Sequence, residues 1–327
     1  MRSVCFLIPF LILKMYQVLL YYCYTPLDNP EQFRNEHHRL CLELDLRGRI
    51  IVAAEGLNGT VSGTVENCAR YMTTVKADPC FATLEFKIDE VPTHTFHKLH
   101  VRVKPEIVRS SLHHMRPHEK TGQHLSPAEF KAMKNRDDVV VVDVRSDYEY
   151  NLGRFKNAVT LDMENFRDFP ERVERLRKFK DKKIITYCTG GVKCEKASAF
   201  LLEQGFENVY QLHGGIIKYG IEAGGEDFDG QCYVFDNRVA VDVNRMNPIV
   251  ISHCQHCQQP SNRLVNCANP HCHAHLPLCE ACGEQLQGAC SAACAEHSDK
   301  RVYDGTGTYP RLSNHYNPAQ GLAPYAK

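Results

Sequence analysis

The sequence predicts an α/β chain in three successive modules: an α+β unit, an α/β unit built on a parallel sheet, and a cysteine-rich metal-binding region. Three observations carry this reading. Residues 16–107 alternate strand-like and helical stretches in the order β-α-β-β-α-β. Residues 127–230 alternate continuous apolar runs with helical stretches, the pattern of strands buried on both faces. Eight of the sixteen cysteines fall between Cys254 and Cys294. A length of 327 residues fits two or three domains. With 43% apolar and 24% charged residues the chain can bury real cores, which excludes wholesale disorder. Its 39 basic residues balance 39 acidic ones, which excludes a generally basic nucleic-acid coat but not a local basic surface.

The elements follow in order. Residues 1–15 read as an N-terminal extension. Val4 to Leu13 is an apolar run flanked by Arg2 and Lys14, too short to span a bilayer and without an A-x-A cleavage site. A second methionine follows at Met15, so residues 1–14 read as a dispensable extension, and with a run this short no membrane association is expected. In the first module, residues 17–24 (QVLLYYCY) read as a strand. Residues 29–46 have helical spacing, with Asn29 as cap and Pro30 in the first turn. Residues 49–63 read as two strands around an EGLNG turn, and Thr64 to Ala77 as a second helix. Ala82–Ile88 and Leu99–Val103 supply further strands. The order is that of ferredoxin-like α+β folds.

Residues 108–126 read as a linker. The stretch Lys98–Lys120 carries six Lys/Arg against Glu106 and Glu119. It is either a solvated connection or a strip that contacts phosphates. In the second module, residues 127–135 form a helix after Ser126. Residues 139–144 (VVVVDV), 158–161 (AVTL), 183–188 (KIITYC) and 208–212 (NVYQL) read as strands. Residues 170–179 and 194–205 read as helices. The third module, residues 231–327, opens with a hairpin (232–236 and 239–243), then the cysteine block and a tail.

Cys188 is the candidate nucleophile. It closes an apolar strand, and Thr189, Gly190, Gly191, Val192 and Lys193 lead from it to a helix opening near Cys194. A strand-to-helix loop aims several backbone N–H groups and a helix dipole at one point. Two glycines let the backbone curl, and Lys193 adds a cation. These features favour a thiolate. The plainer alternative, a buried structural cysteine, lacks a reason for the C-x-G-G loop.

At this point the residues resemble a known family. YCTGGVKCEKAS (187–198) resembles the active-site loop of a rhodanese domain. VDVRSDYEY (142–150), with Asp143, Arg145 and Glu149 as supporting residues, resembles the D-x-R-x-x-x-E signature. GRFKNAVTL (153–161) and LHGGIIKYG (212–220) resemble two further segments of that domain. The six-residue span from Cys188 to Lys193 resembles sulfur-handling members rather than the longer, Arg-closed phosphatase loop. Together with EGLNGTVSG (55–63), FHKLHVRVKPEIV (96–108), FRDFPERVE (166–174) and CYVFDNRVAV (232–241), these motifs resemble the rhodanese-domain, oxygen-dependent tRNA uridine hydroxylase family (TrhO type). The resemblance implies an acylphosphatase-like N-terminal domain, a central rhodanese domain and a Cys-rich C-terminal region. It implies oxygen-dependent formation of 5-hydroxyuridine at the tRNA wobble position, with Cys188 essential. Lys193 departs from the Arg usual in that loop.

Under this resemblance the partner is the tRNA anticodon loop, whose base must leave its stack to reach a thiol. Phosphate contacts fall to Lys98, Arg102 and Lys104, or to the basic run 171–183, whose plainer reading is a solvated helix. Glu55 and Asn58 of the EGLNG turn are further RNA-contact candidates beside a plain turn role. Molecular oxygen is the cosubstrate. No flavin, haem or NAD motif and no 2-His-1-carboxylate spacing is found, and that gap motivates the expectation that Cys188 adds to uracil C6, with Cys194 as a resolving thiol or a plain core residue. The alternatives are a sulfurtransferase carrying a Cys188 persulfide, and a non-catalytic RNA- or partner-binding protein. A cytoplasmic location is expected, and no protein partner is predicted.

The cysteine block consists of Cys254-x2-Cys257, Cys267-x4-Cys272, Cys279-x2-Cys282 and Cys290-x3-Cys294. Eight ligands at short spacing suit two structural zinc ions. The pairs can be used in sequence or interleaved, and His271, His273 or His275 can replace a ligand.

Overall fold

The computed structural model describes residues 15–272 and 274–307. The extension read over 1–15 lies outside them except for Met15, and so do His273 and the tail from residue 308. The described chain forms two compact units, divided between Ile249 and Val250.

The larger unit opens with β1 (Tyr16–Tyr24), α1 (Pro30–Glu43), β2 (Arg47–Ala53), β3 (Gly56–Thr64), α2 (Val65–Lys76), β4 (Lys87–Val91) and β5 (Leu99–Val103). The sheet order is β4-β1-β3-β2-β5, antiparallel except where β5 runs parallel to β2. This is the expected ferredoxin-like arrangement with one added edge strand. Asn29 caps α1 through its side chain, and Thr64 caps α2. Leu19, Tyr21, Ile50, Val52, Leu57 and Val61 pack one sheet face against Cys41, Cys68, Tyr71 and Val75 of the helices. Two boundaries shift. The turn between β2 and β3 occupies Ala54 and Glu55, and the LNG of the motif already belongs to β3. The strand expected from Ala82 begins only at Lys87. Pro79 and the Asp78 side chain, which accepts from the Cys80 N–H at 2.9 Å, first wind a 3-10 turn.

The same unit continues with β6 (Gln123–Leu125), α3 (Pro127–Met133), β7 (Val139–Asp143), α4 (Asp147–Leu152), β8 (Gly153–Phe155), α5 (Phe169–Arg172), β9 (Lys183–Tyr187), α6 (Val192–Glu203), β10 (Val209–Leu212), α7 (Gly215–Ala223), β11 (Phe228–Tyr233) and β12 (Ala240–Asp242). Strands β6-β10-β9-β7 form the parallel sheet. Val140, Val142 and Ile184 pack on one face, and Val139, Val141, Ile185 and Tyr187 on the other. That two-sided burial is why the strands read as unbroken apolar runs.

Four sequence expectations change here. The segment read as linker carries β6 and buries Ser110, Leu112, Met115 and Leu125. AVTL makes only a single bridge, Val142 to Val159, because Asn157 (φ 60°) and Asp162 (φ 50°) turn the backbone on either side. The 170–179 helix is mostly a 3-10 turn over Val173–Phe179, whose three-residue period puts Val173, Leu176 and Phe179 on one face. The hairpin read with the cysteine region pairs instead with β8 through β11, so it belongs to the larger unit.

The smaller unit contains β13 (Leu264–Asn266), β14 (His275–Pro277), α8 (Glu280–Gln285) and α9 (Ala292–Ala295) around Cys254, Val265, Leu278 and Cys282. No described helix is long and apolar enough to cross a membrane.

Candidate functional site

Cys188 follows β9 directly and is 1% exposed. The loop after it is pinned from below. The first-turn N–H groups of Ile216 and Ile217 in α7 donate to the carbonyls of Cys188 and Thr189 at 3.0 and 3.1 Å. Gly191 caps α6 with φ 104°, a left-handed conformation that L side chains avoid. Its N–H donates to Cys188 Sγ at 3.2 Å. Burial alone would push the thiol up. The Cys194 thiol, the Lys193 charge and the N–H groups of Lys193 and Gly191 outweigh it and bring Cys188 down from 9.0 to about 6. Cys194 goes the other way: burial and then the neighbouring Cys188 hold it as a thiol. The pair therefore divides into one thiolate and one thiol donor.

The signature residues hold this arrangement. Lys193 Nζ lies 2.6 Å from Glu149 Oε2, and Glu149 is fully buried. Burial raises the Glu149 carboxyl, but Lys193 and Arg145 pull it below its usual value. Glu149 also accepts from the Ser146 N–H at 3.1 Å. Asp143 and Arg145, both fully buried, form a two-point ion pair at 2.9 and 2.7 Å, and Arg145 donates to the Gly153 carbonyl at 2.6 Å. Arg145 thereby ties the end of β7 to β8, one step away from the thiol.

The first module covers the loop, which the sequence reading missed. A Cβ added to Gly190 would lie 2.9 Å from Leu20, and one on Gly191 would lie 2.7 Å from the Tyr22 hydroxyl. These glycines thus allow β1 to press on the loop. Tyr22 donates to Glu195 at 2.8 Å, and Tyr24 to the Val192 carbonyl at 3.2 Å. Glu195 also lies 2.8 Å from His124 Nε2 and accepts from Gln211 at 3.0 Å. Lys196 of α6 is fully buried between Glu55 at 2.8 Å and Glu106 at 2.7 Å. A signal was present: β1 is apolar on both parities, so both its faces needed cover.

The other named residues separate. Lys98, Arg102 and Lys104 are exposed at and beside the edge strand β5, on the parity opposite to Val101 and Val103. The 171–183 run is partly neutralised, Arg175 by Asp162, Arg177 by Glu174 and Lys183 by Asp138. Glu55 and Asn58 are staples: Glu55 accepts from the Ile107 N–H at 2.8 Å, and Asn58 donates to its carbonyl at 2.9 Å.

In the smaller unit the cysteines form two groups, each with its sulfurs within 4.8 Å of one another. One is Cys254, Cys257, Cys279 and Cys282, the other Cys267, Cys272, Cys290 and Cys294. The pairs interleave, and neither His271 nor His275 enters either group. Tetrahedral thiolates at about 2.3 Å from one ion stand roughly 3.8 Å apart. Cys257–Cys279 at 3.6 Å, Cys272–Cys290 at 3.5 Å and Cys290–Cys294 at 3.7 Å match that spacing. Both groups can hold a metal ion. N–H groups of Cys282 and Cys290 point at Cys279 Sγ and Cys267 Sγ at 3.5 and 3.4 Å, which orients the ligands.

Comparison with known proteins agrees with this architecture. The UPF0176 acylphosphatase like domain matches residues 16–107, the rhodanese-like domain residues 126–222, and the rhodanase C-terminal family residues 229–295. The tRNA uridine(34) hydroxylase of Cytophaga hutchinsonii is 67% identical over 306 residues, 94% of this chain and 98% of the relative. That of Staphylococcus saprophyticus is 48% identical over 290 residues, covering 88% of this chain and 92% of the relative. The match runs over nearly the whole length of these relatives, and the chain belongs to the tRNA uridine(34) hydroxylase family.

Proposed function

We propose that this chain is an enzyme that hydroxylates the wobble uridine of tRNA at C5, with Cys188 as the nucleophile. The observation that carries the proposal is the Cys188 thiolate, held by loop N–H groups and Lys193 in a chain 67% identical to a tRNA uridine(34) hydroxylase. Cys188 adds to uracil C6, which places the electron pair at C5, where molecular oxygen is the oxidant. One oxygen atom stays on C5 and the other leaves as water. That balance needs two electrons and two protons. Loss of the C5 proton from the C5-hydroperoxide adduct first expels the Cys188 thiolate from C6 and restores the ring. The Cys188–Cys194 dithiol then supplies the electrons: the freed Cys188 thiolate takes the outer peroxide oxygen, leaving the C5 hydroxyl and a sulfenic acid, and Cys194 condenses with that sulfenic acid to a disulfide, releasing the water; an external thiol reduces the disulfide.

The substrate is the anticodon loop, where an unstacked base can enter a pocket. Lys98, Arg102 and Lys104 serve the flanking phosphates. The two four-cysteine groups hold structural zinc, since every ligand position is filled by a thiolate and the set is soft. A tRNA substrate of this kind points to the cytoplasm. The same loop would also serve persulfide transfer, but the names of the relatives favour hydroxylation.

The test is nucleoside mass spectrometry of total tRNA from cells lacking the gene, complemented with wild type or Cys188→Ser. Restoration of 5-hydroxyuridine derivatives by wild type alone is expected. Loss of thiolated nucleosides instead would make the protein a sulfurtransferase.

A further inference from the structure

Four other basic side chains crowd the covered face of the Cys188 loop, and all have a carboxylate. Lys193 is held by Glu149, and Lys196 by Glu55 and Glu106. His213 and Lys218 share Glu85 at 2.8 and 2.9 Å. Lys87 is different. It is 7% exposed, yet among the described residues its Nζ makes no ion pair or hydrogen bond. Its one close partner is the Tyr22 ring, 4.7 Å from Nζ to the centroid.

The fold fixes where this amine stands. Lys87 opens β4 and lies directly opposite Leu20 of β1, so both side chains leave the same sheet face. Leu20 abuts Gly190, and Tyr22, beneath the amine, abuts Gly191. Lys87 is thus delivered by the acylphosphatase-like sheet to the rhodanese loop. The charged and titratable groups facing it are Glu85, Lys218, Cys188 and Glu195, with Tyr22 below. Burial draws its ammonium down to about 8, so at neutral pH it is still a cation, one that has given up most of its water. An ammonium so largely buried, with Glu85 and Glu195 near but neither in hydrogen-bond reach, is placed to take an anion that arrives from outside.

We propose that Lys87 is the substrate-binding cation of the Cys188 site and takes an anionic oxygen of the nucleotide that enters it. The proposal rests on the nucleotide reading of the site. It names a residue from the first module, where the rhodanese loop carries its own closing cation in Lys193. The oxygen has two sources, a phosphodiester flanking the base or the pyrimidine oxygen that gains charge when C6 is attacked.

The experiment compares wild type, Lys87→Met and Lys87→Arg with Arg70→Met as a reference for an exposed cation. Lys87→Met keeps the apolar stem over Tyr22, and thermal melting checks that it folds. Binding of a uridine-34 anticodon stem-loop is followed by anisotropy against salt, and the single-turnover rate is measured on the same RNA. If the phosphodiester is the ligand, Lys87→Met weakens binding roughly tenfold or more. Its log–log salt slope then falls by about 0.7. If the pyrimidine oxygen is the ligand, binding holds and the single-turnover rate falls by a comparable factor. Lys87→Arg restores either in part. A second arm does not depend on RNA: inorganic phosphate should slow iodoacetamide alkylation of Cys188 in wild type and not in Lys87→Met. If wild type ignores the stem-loop while phosphate protection still needs Lys87, the anion site stands and the tRNA reading falls. A folded Lys87→Met with wild-type binding, turnover and protection overturns the proposal.

Discussion

Cys188 should titrate near pH 6, and its two charged neighbours should move that midpoint in opposite directions. At pH 7 a thiol with a midpoint of about 6 holds about ten thiolates per thiol. One left at 9.0 would hold about one per hundred thiols. Alkylation by iodoacetamide, followed by mass spectrometry of the peptide carrying Cys188, should rise through about pH 6 and be flat by pH 8. Burial at 1% exposure lowers the absolute rate without moving the midpoint. Lys193→Met removes a cation and strands the buried Glu149 carboxylate beside the thiolate. Both effects disfavour the charged sulfur, so the midpoint should climb by about one pH unit or more, each unit being worth about 1.4 kcal/mol. Glu149→Gln leaves Lys193 free to face the sulfur, and the midpoint should fall. A thiol pKa depressed from 9.0 to about 6 stabilises the fold fully above pH 9.0; that contribution declines as pH falls from there and is gone below about 6. The reasoning is refuted if Lys193→Met leaves the midpoint near 6, or if Glu149→Gln raises it.

Two further outcomes are expected. Lys196→Met strands Glu55 and Glu106 beneath the interface between the two modules of the larger unit, and should cost about 3–5 kcal/mol in chemical denaturation, against little change for exposed Lys98→Met. Elemental analysis should find two zinc ions per chain. Cys257→Ser combined with Cys279→Ser should remove one of them, whereas a sequential pairing would lose both.

The fold was legible where periodicity is imposed locally. VVVVD and KIITY are apolar throughout because both sheet faces are covered, and Asn29, Thr64 and Ser126 cap the helices as their chemistry predicts. The Cys188 loop was legible because its sequence encodes its own geometry: a strand end, two glycines and a helix start. Residues whose partners are distant in the chain were not legible. Tyr22 meets Glu195 across 173 positions, and Lys196 meets Glu106 across 90. No short window holds either contact. Nor could spacing choose between zinc pairings, because both use identical pairs. Only the packing of Cys279 against Cys257, 22 positions away, decides it.

Charge matching around the thiol gives the first module a part in the site. Glu149, Glu195, Glu55, Glu106 and Glu85 are each occupied by a basic or donating side chain, so the carboxylates add little free field. What remains is one thiolate and Lys87. If the pyrimidine oxygen is the ligand of Lys87, the proposed addition of Cys188 to the base passes the sulfur's charge to the ring, and the cation that was its distant neighbour becomes the counter-ion of the adduct. A rhodanese loop alone carries Lys193 for its thiolate, but Glu149 already holds that lysine in place. The sheet of the first module brings the uncommitted one. Its β1 excludes water from the same space through Leu20 and Tyr22, which strengthens every interaction made there. Desolvation and the cation thus arrive on adjacent strands, β1 and β4, paired at Leu20 and Lys87.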